Sequence, residues 1–193
     1  ALRRAGVLRV EGLDDLLSAA ETLARVKLSP RGGAGDRIAI VGNATGLGQM
    51  AADAVIAGGA RLAALPTEAL ASLAIGLPCG WHGRNPITLP PEAGMQIGEA
   101  AAMLGASPEV DVVIAVHAPV PDENAETVAA ALTAAARATR AAPVLVCWAG
   151  QATAGAQRAA LARAGLAVFP TPEAAVRGAL HLWRDRQNRL AAA

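Results

Sequence analysis

Five short apolar runs, separated by stretches of helical periodicity, constrain the fold of this chain more than any other feature. They are RIAIVG at 37–42, RLAAL at 61–65, DVVIAVH at 111–117, PVLVCWA at 143–149 and LAVF at 166–169. Segments such as VVIAV and VLVCW are apolar at almost every position, the pattern of a strand covered on both faces rather than one. Helical patterns occupy 47–58, 67–75, 92–104, 123–140, 152–164 and 172–190. Thr171, Pro172 and Glu173 read as the start of the last helix, and Asp122, Glu123 and Glu126 as the cap and first turn of the helix over 123–140. Strand and helix in alternation predict βαβ units, hence a flavodoxin-like, doubly wound α/β domain with a five-stranded parallel sheet over residues 37–190.

The first residues stand outside that count. AGVLRVEGLDDLLSAAETLA at 5–24 and AGLAVFPTPEAAVRGALHLW at 164–183 share an Ala-Gly start, a short apolar strand, an acidic helix start and a long apolar-faced helix. Residues 1–28 therefore read as the closing strand and helix of a preceding, similar domain; an additional strand and helix of one sheet is the alternative. SPRGGAGD at 29–36 reads as the linker between the two. An opening on Ala1 and a closing AAA suggest a piece of a longer protein.

Composition removes several classes of function. Seventeen basic residues against 16 acidic ones leave a formal charge of +1, which is no footprint for nucleic acid. No apolar run approaches the ~18 residues a membrane span needs, and no signal peptide opens the chain, so a cytoplasmic protein with no membrane partner is expected. Cys79 and Cys147 are far apart and form no CxxC pair, as for reduced thiols.

The turn GNATGLG, Gly42 to Gly48, carries the chemistry. Its GxxxGxG spacing matches short-chain dehydrogenases, whose catalysis uses a tyrosine and a lysine four residues later. This chain has no tyrosine, its one lysine is Lys27, and RLAAL runs into Pro66 without the acid that would hold a ribose. A smaller expectation remains: the backbone N–H groups of Asn43, Ala44, Thr45, Gly46, Leu47 and Gly48 sit at a helix start, where the dipole favours an anion, and the glycines admit close approach. No P-loop lysine or hydroxyl follows. A phosphate cradle and an empty strand-to-helix turn both fit these residues.

Other residues have weaker readings. His117 ends a strand at the edge where ligands of such sheets bind, either functionally or bonded to nearby backbone; Trp148 ends the next strand, lining a cleft or packing. Cys79 and His82 make a lone Cys-x-x-His pair without the second pair that zinc requires, so no metal site is expected. His181 reads as a surface or packing residue, and Arg184, Arg186 and Arg189 as a solvated face or a contact to another domain.

Several segments in order resemble the NDP-forming acyl-CoA synthetases, relatives of succinyl-CoA synthetase. NATGLGQMAADAVIAGG is similar to the family's NGAGLAM or NxGGPGxxAxDA segment, which begins a so-called power helix. GRNPITL is similar to its GNPVDL; Asn85 and Pro86, with His117 and Trp148, are candidates for lining a cleft. VIAVHAPVPDENAETVAAAL, and PVLVCWAGQATAGAQ through to its arginine-rich end, resemble the family's later segments.

The resemblance implies a relay in which acyl-CoA and phosphate give an acyl phosphate, whose phosphoryl group passes to a histidine and then to ADP. It implies that residues 43–48 grip a phosphohistidine supplied by another CoA-ligase domain, with no catalytic residue in this chain. CoA, ADP or ATP and magnesium would act in the complete enzyme, beside a CoA-binding domain and an ATP-grasp domain or subunit, with a homodimer as one assembly. The isolated chain would be inactive, and none of these cofactors would be tightly bound to it. Ile87-Thr88 replaces the usual Val-Asp, losing a carboxylate, and Thr45 stands where glycine is common. A branch of the family fused to GNAT acetyltransferases, where this region senses an acyl-CoA, is the alternative.

Overall fold

The structure is a computed structural model describing residues 3–29, 33–77, 84–139, 142–151 and 154–192. The strands are β1 (Arg37–Gly42), β2 (Arg61–Leu62), β3 (Ile87–Thr88), β4 (Val112–His117), β5 (Val144–Trp148) and β6 (Val168–Phe169). The helices are α1 (Leu13–Arg25), α2 (Thr45–Ala57), α3 (Thr67–Gly76), α4 (Gly94–Ala106), α5 (Ala125–Ala138), α6 (Gly155–Arg163) and α7 (Pro172–Ala192). All strand pairs are parallel, in the order β2-β1-β4-β5-β6, with β3 beside the C-terminal end of β1. That is the doubly wound, flavodoxin-like arrangement expected from the alternation.

The continuous apolar runs resolve into two faces, because successive side chains of a strand point to opposite sides. Ala39, Val41, Val113, Ala115, Val144 and Val146 meet Leu73 of α3, Ile97 and Leu104 of α4, Leu132 of α5 and Leu161 of α6. Ile38, Ile40, Val112, Ile114, Val116 and Leu145 meet Val55 of α2 and Val176 and Ala179 of α7. No helix among the described residues is long and apolar enough to cross a membrane.

Some boundaries differ from the sequence reading. The strand expected over 61–65 is regular only at Arg61–Leu62, and the one over 166–169 only at Val168–Phe169. The short β3 was not anticipated; two residues are too few to show a period. Residues 7–10, expected as a strand, join no ladder. This segment lies against α7, where no strand edge is available, and the Val7 carbonyl accepts from Asn188 Nδ2 at 2.9 Å. The cap of α5 is Asn124, whose Oδ1 accepts from Glu126 N and Thr127 N at 3.1 Å each, rather than Asp122. Thr171 does begin α7, accepting from Ala174 N at 3.2 Å.

The described end of the 29–36 segment is held on the domain. Asp111 accepts from the N–H groups of Gly33 at 2.9 Å and of Gly35 and Arg37 at 3.1 Å, and pairs with the Arg37 guanidinium at 2.9 Å. Burial alone would raise the Asp111 carboxyl, but the Arg37 hydrogen bonds and charge, with Gly33, outweigh it and hold it below its ordinary value.

Candidate functional site: the turn after β1

β1 ends on a position that only glycine can fill. A Cβ on Gly42 would collide with the Val116 carbonyl oxygen and lie 2.9 Å from Val116 Cβ, so its absence lets β1 and β4 stay paired to their ends. Asn43 then ties the turn down. Its Nδ2 donates to Pro91 O at 2.8 Å and Ala118 O at 2.9 Å, its Oδ1 accepts from Ala118 N at 2.8 Å, and its own N–H donates to Val116 O at 3.3 Å. Asn43 is therefore buried scaffolding, and its N–H is not free for an anion.

The start of α2 beyond it is open. Ala44 is the N-cap, in extended conformation, and no side chain caps the helix or places an acid in its first turn. The first bond of this end runs from Gly48 N to Ala44 O at 3.0 Å, which leaves the N–H groups of Thr45, Gly46 and Leu47 without intrahelical partners. Thr45 and Gly46 are exposed, and no atom lies within 4 Å of where a Gly46 Cβ would stand. Gly48 serves packing instead: it is buried, and its Cβ position is 3.4 Å from Pro86 Cβ. The six expected residues thus divide into an anchor, an extended cap, three donors of which Thr45 and Gly46 are exposed and Leu47 is half-buried, and a packing glycine.

Asn85 acts on the sheet. Its Nδ2 donates to Ile38 O at 2.8 Å and Ala63 O at 3.1 Å, and its Oδ1 accepts from Ile40 N at 2.9 Å. The side-chain amide fills the gap between β2 and β3, giving mid-β1 backbone groups the partners a strand would provide. The Asn85–Pro86 peptide is cis. Asn85 and Pro86 are both half-buried.

His117 and Trp148 also lie beneath the surface. His117 is 0% exposed and meets Trp148 edge to face, with ring centroids 4.3 Å apart. Its Nε2 is 3.0 Å from Glu123 Oε2, a close contact without hydrogen-bond geometry, so both nitrogens and both carboxylate oxygens are buried without a hydrogen bond. Burial pushes the imidazole down to about 4 and the Glu123 carboxyl up. Gly94 makes room for this pair: a Cβ there would collide with Glu123 Oε1 and come within 3.1 Å of His117 Cε1. The carboxylate thereby sits at the N-terminus of α4, where the dipole favours it. Sequence reading placed Glu123 in a helix; the signal that separates it is Asn124, a better cap, which leaves the preceding residue free to turn inward. Asp122, at φ 65°, is the left-handed residue that turns the loop there.

The remaining expected residues are dispersed. His181 is buried, with Nε2 3.2 Å from Asp15 Oδ1. Arg189 pairs with Asp185 at 2.8 Å and Arg186 donates to Ser29 O at 2.9 Å, while Arg184 is exposed. Cys147 is a free thiol whose burial pushes it up to about 12. Cys79 and His82 lie outside the described residues. Among the described residues no group of three or more His, Cys, Asp or Glu is gathered that could hold a metal. What the turn offers chemically is three N–H donors without intrahelical partners and a helix dipole, with no acid in the first turn of α2.

No protein-family model matches the chain. Among solved structures it is similar to dinucleotide forming acetyl-coenzyme A synthetase 1 of Ca. Korarchaeum cryptofilum. In the apo form the TM-score is 0.89 at 20% identity, covering 99% of this chain and 41% of that one. The complex of that protein with phosphate and ADP matches at TM-score 0.88, with the same identity and coverage. PH0766 from Pyrococcus horikoshii OT3 matches at TM-score 0.86 and 25% identity, covering 97% of this chain and 43% of that one. The chain thus spans about two fifths of the length of these proteins. Strand order, helix placement and these likenesses together give the chain an NDP-forming acyl-CoA synthetase-like, CoA-ligase fold.

Proposed function

We propose that this chain is part of an NDP-forming acyl-CoA synthetase, which converts acyl-CoA, phosphate and ADP to acid, CoA and ATP. In this reading the N-terminus of α2 grips the phosphoryl group of a phosphohistidine carried on another CoA-ligase domain. The observation that carries it is the open helix end: Thr45, Gly46 and Leu47 present unpartnered N–H groups, and Gly46 leaves the approach clear. A phosphoryl dianion arriving on a histidine needs donors and a favourable dipole, and each charge-assisted bond contributes about 1.5–3 kcal/mol. The turn supplies no covalent chemistry; its part is to orient and neutralise the anion while it waits for ADP. CoA, ADP and magnesium are assigned to other domains of the complete enzyme.

Residues 1–28 fit the same reading as the end of a preceding CoA-ligase domain. By the internal repeat, Leu16 and Leu17 of α1 correspond to Ala175 and Val176 of α7, which are 0% and 1% exposed against the sheet. Leu16 and Leu17 are 51% and 60% exposed, an apolar face matching one that α7 buries.

Replacing Gly46 with valine in the complete enzyme tests the grip. Acid-labile phosphohistidine, measured by labelling from ATP or from phosphate together with acyl-CoA, should be lost while circular dichroism and the unfolding midpoint stay close to wild type, because the Cβ enters open space. Undiminished phosphorylation in that variant refutes the reading.

A further inference from the structure

Several arginines have partners: Arg37 with Asp111 and Glu109, Arg61 with Asp36, Arg25 with Glu21, Arg189 with Asp185, Arg158 with the Trp148 and Gly150 carbonyls. Arg9, Arg177 and Arg184 make no hydrogen bond or ion pair among the described residues, yet all three border one pocket of about 340 Å³ at the seam of α1 and α7. Arg177, His181 and Arg184 lie at i, i+4 and i+7 on one face of α7, and Arg9 comes from the segment before α1. Glu11, just before α1, and Asp15, in its first turn, line the same pocket. Asp15 already accepts from the Glu11 N–H at 3.3 Å, and Gly12, the N-cap of α1, provides no side-chain cap.

His181 is the second feature of the site. Its side chain is 3% exposed, its Nε2 stands 3.2 Å from Asp15, and its Nδ1 is buried with no hydrogen bond. Burial holds this imidazole below its ordinary value, Asp15 opposes that, and the charges of Arg184 and Arg177 add to it. The guanidiniums of Arg184 and Arg177 are thus close enough for their charge to act on the histidine.

We infer that this pocket binds the phosphomonoester of a small hydroxylated molecule, of the sugar-phosphate class. The guanidiniums of Arg9, Arg177 and Arg184 take the phosphoryl oxygens, for which their forked donors are suited. The carboxylates of Glu11 and Asp15 accept from the ligand's hydroxyls, a role a bare anion would not fill. The volume lies at the lower end of small-molecule pockets, the size of one phosphorylated sugar. The inference does not depend on the α2 turn.

The test is titration of the 193-residue chain with ribose 5-phosphate and, separately, inorganic phosphate at fixed ionic strength. It is read by calorimetry and by the imidazole ¹⁵N shifts of His181. Saturable one-site binding of ribose 5-phosphate that moves the His181 signals is expected, weakened about tenfold or more in the Arg177→Gln, Arg184→Gln variant. Both arginines are exposed and unpartnered, so the unfolding midpoint of that variant should match wild type. Glu11→Gln with Asp15→Asn should weaken ribose 5-phosphate but not inorganic phosphate. Absence of saturable binding, or equal binding by the arginine variant, overturns the inference. So does phosphate as tight as ribose 5-phosphate, or binding lost in Gly46→Val and kept in the arginine variant, which would place the anion at α2.

Discussion

At the scale of single residues, the edge of the sheet is built from side chains whose identity is dictated by what they touch. Gly42 and Gly94 are absences of a Cβ where Val116 and Glu123 need the space, and Asn43 and Asn85 replace backbone partners. His117 carries a measurable consequence. Its folded value of about 4 lies below the unfolded one near 6.5, so the unfolded chain takes up a proton first as pH falls. Full stability is present above about pH 6.5 and is lost as pH falls toward about 4, amounting to roughly 2 kcal/mol between pH 7 and pH 5. Glu123, raised by burial from its ordinary 4.5, acts in the opposite sense as pH falls toward that value, within the same window. Urea unfolding at the two pH values should show this loss in wild type and its near absence in His117→Phe; an equal loss in both would mean that other groups carry the acid sensitivity.

Between residues and the whole molecule, the elements differ in how much of them could be read beforehand. β1, β4 and β5 were legible because strands covered on both faces are apolar throughout, and the long helices because their periods survive many turns. β3 and the inward turn of Glu123 were not, since the first has two residues and the second depends on Gly94, distant in sequence. The glycine turn was legible as a helix start, but not the division of labour within it, because which N–H groups are free is decided by β4 and Pro86. α1 is the element that invites experiment. Leu13, Leu16 and Leu17 are 70%, 51% and 60% exposed, while Ala19 and Thr22 pack inward. Replacing Leu16 and Leu17 with aspartate should change the stability of this chain by no more than about 0.5 kcal/mol per site. In a longer protein whose sheet covers that face, the same change should cost about 2 kcal/mol or more per leucine. Equal small effects in both contexts would show that the face is never covered.

Seen as one molecule, the chain has a sheet with two filled faces and a further layer, α1, resting mainly on α7. Protection from amide hydrogen exchange should follow that order, slowest in β1, β4 and β5 and fastest in α1, which can open without exposing the sheet. Slow exchange in α1, matching the strands, would show instead that the chain opens as a single unit. The outer strands add a last consequence. On one side the border is broken into β2 and β3, two residues each with the Asn85 amide between them, and on the other β6 is also two residues long. Among the described residues, neither border presents a long run of unpaired strand on which a second chain could template a strand of its own. Edge-to-edge β-aggregation is thereby disfavoured at both ends of the described sheet, and any association with another chain is left to helix faces and loops.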